Sequence, residues 1–161
     1  MMPAQRPGQS KQDYQTPPEL LAAIRRDFCV AAWAIDLAAT RANSVSEHSF
    51  FGPGSLLGED ALAQDWSTIE GTCWLNPPFA DIEPWVRKCA THAPRLGRIF
   101  ALVPASVGAN WYANYVHGKA HVVALSPRVS FDGKHPYPKD LILAIYGPVK
   151  GGFSTWWWKC G

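Results

Sequence analysis

Cys73-Trp74-Leu75-Asn76-Pro77-Pro78-Phe79 sets a short apolar run against a side-chain amide, two prolines and an aromatic ring. The pattern reads as a strand ending in a rigid corner. Pro77 biases Asn76 away from the helical region, and each proline fixes its own φ and removes a backbone donor. Such a corner offers carbonyl oxygens with few competing N–H groups, which suits it to accepting hydrogen bonds. A planar amino nitrogen such as N6 of adenine needs two acceptors beside an aromatic face. Its lone pair is delocalised into the ring, so it is a poor nucleophile. With the Asn76 side-chain oxygen and the Pro77 carbonyl each taking one amino hydrogen, and Phe79 stacked on the base, the nitrogen can pyramidalise and attack an electrophilic methyl group. A strand followed by a proline-rich turn would give the same tetrapeptide, so the rest of the chain must decide.

The chain has 161 residues, 47% of them hydrophobic and 17% charged, a balance that predicts one domain over 1–161 around a single core. Residues 1–13 are polar and predicted to be flexible, and 149–161 reads as a C-terminal tail. No apolar run approaches the roughly 18 residues that span a bilayer, and the start lacks the apolar block of a secretory signal. The expectation is a cytoplasmic protein, with no membrane partner. Cys29, Cys73, Cys89 and Cys160 form no C-x-x-C pair, so they read as structural thiols and no metal site is expected. A formal net charge of +2 gives little sequence-independent grip on nucleic acid, so any such contact must use a local patch.

The elements that would position the corner can be read in order. Thr16-Pro17-Pro18-Glu19 predicts a helix with Thr16 as N-cap, running to about Phe28, its apolar stripe being Leu20, Leu21, Ile24 and Phe28. Val30 to Asp36 reads as a buried strand with Asp36 at its carboxyl edge, where ligands sit in open α/β sheets. Residues 43–65 contain Gly52-Pro53-Gly54 and read as loop with short helix, which predicts a trimmed sheet. Asp81 to Trp85 opens a second helix, with Trp85 expected in the core. Arg98 to Pro104 reads as a central strand. Ala120 to Leu125 and Leu141 to Tyr146 read as an antiparallel pair at one edge. The loop between them carries Lys134, His135, Tyr137 and Lys139, a mixture suited to phosphate contact and base stacking, although a solvated loop would look similar. Trp156-Trp157-Trp158 is expected to pack on the domain or on a partner.

Several stretches fall in an order that resembles the small Dam-type DNA N6-adenine methyltransferases of bacteriophages and prophages. These are Tyr14-Gln15-Thr16-Pro17-Pro18-Glu19-Leu20, Ile35-Asp36-Leu37-Ala38-Ala39, Asp65-Trp66, Asn76-Pro77-Pro78-Phe79, Pro84-Trp85-Val86, Leu102-Val103-Pro104 and Arg128-Val129-Ser130-Phe131, within residues 12–148. The resemblance implies a reduced three-layer, Rossmann-like α/β methyltransferase fold, with a mostly parallel sheet and an antiparallel C-terminal strand pair. It implies S-adenosylmethionine as cofactor, and methyl transfer to adenine N6 in double-stranded DNA after base flipping. Asn76, Pro77, Pro78 and Phe79 would be catalytic. Gln15, Thr16, Pro17, Asp36 and Asp65 would bind cofactor, and Arg128, Lys134, His135 and Lys139 would face DNA. The chain departs from larger relatives in lacking a glycine-rich loop between Ala31 and Asn43, and it has no room for an inserted target-recognition domain. Specificity would then fall to loops 43–64, 108–118 and 132–140. Two alternatives stay open: another planar acceptor (cytosine N4, RNA adenine or a protein glutamine), and a non-catalytic binding module.

Overall fold

The computed structural model describes residues 15–47 and 49–159. Along them run α1 (Pro18–Asp27), β1 (Ile35–Asp36), a 3-10 turn (Ala61–Ala63), β2 (Cys73–Leu75), α2 (Glu83–His92), β3 (Ile99–Pro104), α3 (Asn110–Tyr115), β4 (His121–Ser126), β5 (Leu141–Tyr146) and β6 (Gly152–Trp157). The predicted flexible start, residues 1–13, and Cys160 lie outside the described residues. Among those described, no helix is long and apolar enough to cross a membrane.

β3 and β5 are buried at every position because the sheet is covered on both faces. Ile99, Ala101, Val103, Ile142 and Ala144 point to one side, against Val86 and Cys89 of α2 and Tyr112 of α3. Phe100, Leu102, Leu141, Leu143 and Ile145 point to the other, against Leu20, Ala23 and Ile24 of α1. The period-two alternation therefore builds two cores and three layers.

The strand order is β1-β2-β3-β5-β4-β6. β1, β2 and β3 are parallel, and β5 is antiparallel to β3 and β4. The predicted antiparallel pair is present, but it sits inside the sheet rather than at an edge. The edge is β6, parallel to β4 from His121↔Gly152 to Ser126↔Trp157, in a segment the sequence predicts as tail. Its tryptophans anchor it. Trp158 is 2% exposed, and its backbone N–H donates to Ser126 O (3.0 Å) and its Nε1 to Pro127 O (2.7 Å). Trp156 meets Phe28 edge-on at 5.0 Å and donates Nε1 to Asp27 Oδ2 (2.9 Å).

The strand predicted from Val30 shrinks to Ile35–Asp36, although Ala34 N still donates to Thr72 O (2.8 Å). On its far side, residues 49–51 follow it as a remnant strand: Asp36 N donates to Ser49 O (3.0 Å) and Phe51 N to Asp36 O (2.9 Å). Gly52 then turns with φ +142°, and a Cβ there would fall 1.9 Å from Ala39 O, so only glycine lets these two loops meet.

The anchoring of β6 makes a prediction. Trp158→Ala should destabilise the protein by about 3 to 5 kcal/mol in chemical denaturation. Trp157→Ala, at a side chain 58% exposed, should cost less than about 1 kcal/mol. Equal effects would mean that Trp158 does not hold the strand.

Candidate active site

Because β1, β2 and β3 are parallel, their carboxyl ends share one edge, and β2 delivers Asn76 there. A cavity of about 210 Å³ opens at that edge. Its walls are Ala38, Ala39, Thr40 and Asn43 after β1, then Gly52-Pro53 and Glu59 to Leu62, then Asn76 to Phe79 with Trp85. The corner thus lies in the wall of a concave site.

The Asn76 side chain is oriented by a residue distant in sequence. Asn76 Nδ2 donates to Thr16 Oγ1 at 3.2 Å, and Thr16 is 8% exposed. Thr16 is not the helix cap that the sequence predicts. Pro18 excludes the helical conformation for the residue before it, so Pro17 stays extended (φ −56°, ψ 131°) and is itself the N-cap. Thr16 lies one residue too early to cap, and its hydroxyl meets the corner instead. Pro17 O accepts from Leu20 N (3.0 Å) and Leu21 N (3.2 Å), while exposed Gln15 donates Nε2 to Ala42 O (3.3 Å).

Asp36 is 3% exposed and is absent from the cavity lining. Its Oδ1 accepts from Ala38 N (3.2 Å) and its Oδ2 from Val45 N (3.0 Å), so the carboxylate pins the loop that forms one cavity wall. Asp65, expected to bind cofactor, follows no strand. It is exposed, its Oδ1 accepts from Ser67 N (3.0 Å) and Ser67 Oγ (2.7 Å), and it lies outside the lining. These bonds hold its carboxyl below the usual range.

The acids in the wall are Glu59 and Asp60, which the sequence reading missed. Asp60 Oδ1 caps the 3-10 turn through Leu62 N (3.1 Å), and Asp before an Ala-Leu pair was the signal available. Trp85, predicted as core, also lines the cavity, its ring 6.4 Å from buried Trp66. Lys88 lies over the Trp66 ring and donates Nζ to Leu62 O (2.6 Å), tying this wall to α2.

Phe79 is half-buried between the two cores, with Tyr137 edge-on to it at 5.8 Å and Phe131 edge-on to Tyr137 at 5.4 Å. These last two rings come from the loop between β4 and β5, which is folded rather than merely solvated. Tyr137 N donates to Val129 O (2.7 Å), and Arg128 Nε to Asp140 Oδ1 (2.8 Å). Asp132 Oδ1 accepts from Lys134 N and His135 N, both 2.7 Å, and Oδ2 pairs with His135 Nδ1 at 3.0 Å. These donors hold the Asp132 carboxyl well below the usual range. Arg128, Lys134, His135 and Lys139 are all exposed on this loop.

A family model described as DNA N-6-adenine-methyltransferase (Dam) matches residues 4–145. No curated protein matches the sequence. Among solved structures, a predicted O-methyltransferase from Agrobacterium tumefaciens superposes with a TM-score of 0.52 at 16% identity, covering 85% of this chain and 83% of that one. A candidate class I S-adenosylmethionine-dependent methyltransferase from Listeria monocytogenes gives 0.53 at 13% identity, covering 92% and 67%. At such identities the likeness establishes the fold, a Rossmann-like methyltransferase fold.

Burial pushes the Asp36 carboxyl up to about 6 from 3.8, against the opposing pull of the Val45 and Ala38 N–H groups. The folded state therefore binds the proton more tightly than the unfolded chain. The resulting stabilisation is fully present below 3.8 and is lost as the pH rises through about 6. Between about pH 7.5 and about pH 5 this residue should add roughly 1 kcal/mol of stability. Asp36→Asn should lack that increment in paired denaturation curves. The same pH dependence in both proteins would show that Asp36 does not titrate in this way.

Proposed function

Since the chain belongs to the DNA N-6-adenine-methyltransferase (Dam) family, we propose that its target adenine sits on Asn76, Pro77, Pro78 and Phe79. It is an S-adenosylmethionine-dependent enzyme that methylates adenine N6 in DNA. The observation that supports this seat is the Asn76 to Thr16 hydrogen bond. It turns the amide nitrogen toward Thr16 and the amide oxygen to the other side, the orientation needed by an acceptor of an amino hydrogen. The Pro77 carbonyl is the second acceptor. Phe79 stacks on the base, its ring steadied edge-on by Tyr137.

The cavity residues fit the cofactor chemically. Glu59 and Asp60 suit hydroxyl and cationic groups, Phe51, Leu62 and Trp85 suit a flat apolar ring, and the small Ala38 and Ala39 side chains leave the backbone approachable. When bound, S-adenosylmethionine supplies an electrophilic methyl on a sulfonium. Gln15, Thr16 and Pro17 are outside the cavity lining; Thr16 reaches it through Asn76, and Gln15 Nε2 donates to Ala42 O between the wall residues Thr40 and Asn43. Asp36 acts on the cofactor through the loop it pins rather than by contact. The cofactor's methyl would pass to N6 while Asn76 and the Pro77 carbonyl hold the amino group, which would then lose its surplus proton to water.

Arg128, Lys134, His135 and Lys139 face the phosphates of duplex DNA, on a loop whose tyrosine touches the base seat. The adenine must leave the duplex to reach the cavity wall, so base flipping is part of the reading.

Isotope-labelled cofactor incubated with duplex DNA, followed by nucleoside analysis, tests the acceptor: label should appear as N6-methyladenine. Label found instead in cytosine, RNA or protein would overturn it. Thr16 supplies a finer prediction. Thr16→Val should slow single-turnover transfer by about 10-fold, the order of one hydrogen bond, while Thr16→Ser should restore the rate and both keep cofactor affinity. A parallel fall in cofactor affinity would make Thr16 a cofactor contact instead.

A further inference from the structure

Residues 52–58 form a closed loop beside the cavity. Gly52 N donates to Gly58 O across its neck (3.0 Å), Ser55 N to Gly52 O (3.0 Å), and Leu57 N to Ser55 Oγ (3.1 Å). Ser55 Oγ donates to Phe50 O, and Gly54 N to Glu59 Oε1 at 3.2 Å. Gly54 takes φ +81°, which a residue with a Cβ rarely adopts. This network holds the loop in one shape.

The tip displays Leu56, 98% exposed, and Leu57, 53% exposed. In this shape the Leu56 side chain rests on nothing in the domain, and Leu57 is about half covered. Residues 52–58 carry no charge, so the tip offers a phosphate no cation, and the complement of its two leucines is an apolar space. The neck defines where that space lies, because Gly52 and Pro53 on one side and Glu59 on the other belong to the cavity wall. Leu56, three residues from Pro53, stands within about 11 Å of that wall by chain length alone. The other strongly exposed leucine, Leu96, precedes β3 at the opposite end of the strand.

A base swung out of a duplex into the cavity leaves an apolar slot between the flanking base pairs, near the mouth through which it passed. Leucine is among the side chains that wedge between base steps. We infer that Leu56 and Leu57 enter the duplex at the target step and fill the gap left by the extruded adenine. This rests on the reading that the cavity receives an adenine from duplex DNA.

The test compares two duplexes carrying the protein's own methylation site, read beforehand by sequencing modified DNA. In one the target adenine is paired, and in the other it faces an abasic position, so extrusion is already easy. Leu56→Ser/Leu57→Ser should slow single-turnover methylation of the paired duplex by about 10-fold or more, and methylation of the second duplex by less than about 3-fold. 2-Aminopurine at the target should brighten with the wild-type protein and stay dim with the variant. Unchanged methylation of the paired duplex, or an equal loss on both, overturns the inference. So does a wild-type dimer that the same substitutions dissociate, which would assign the leucines to a second copy of the chain. A wild-type protein that methylates neither duplex refutes the reading of the site itself, and the wedge falls with it.

Discussion

One hydrogen bond, from the Asn76 amide to the Thr16 hydroxyl, joins the end of β2 to the residue before the first helix. On the proposed reading, an amide turned the other way would present N–H to the amino group it is meant to accept from, and the corner would repel its target. Two local constraints place the partners. Pro17 and Pro18 keep Thr16 outside the helix, and Pro77 lacks a ladder donor just past the end of β2 at Leu75, which leaves Asn76 at the corner. The rest of the domain holds these two points together: α1 packs on one face of the sheet, and β2 is buried between both layers.

The cavity shows what a short chain does without full βα units on one side of its sheet. The wall from Ala38 to Leu62 is irregular, and it is held by single contacts rather than by helix packing. Asp36 pins it to β1, Gly52 lets it approach Ala39, and Lys88 ties it to α2. A buried carboxylate is an expensive fastener because desolvation disfavours its charge. It is nonetheless the group that satisfies two backbone donors of a loop with no strand or helix partner.

Much of this was legible in the sequence, for identifiable reasons. β3 and β5 are continuous apolar runs because both faces are covered, and the corner is marked by prolines whose effect is local and strong. What could not be read depends on tertiary partners. β6 has no alternation and begins at glycine; it is a strand because Trp158 and Trp156 find sites on the β4 end and on α1. Thr16 carries an N-cap pattern that Pro18 cancels. Asp65 and Asp60 look alike in sequence, and only the path of the 3-10 turn puts Asp60 in the cavity wall and leaves Asp65 in solvent. The insertion of β5 between β3 and β4 is a matter of sheet order, which no local pattern encodes.

The central claim is that Asn76 acts on the amino group as its nitrogen pyramidalises, so its contribution belongs to the transition state rather than to ground-state binding. The most direct measurement is single-turnover methyl transfer to adenine in duplex DNA by Asn76→Ala, with saturating cofactor and cofactor affinity measured alongside. The account predicts a rate loss on the order of 100-fold to 1,000-fold, by analogy with removing one preorganised polar contact, with cofactor affinity nearly unchanged. Transfer at the wild-type rate would contradict it and leave Asn76-Pro77-Pro78-Phe79 as no more than a turn.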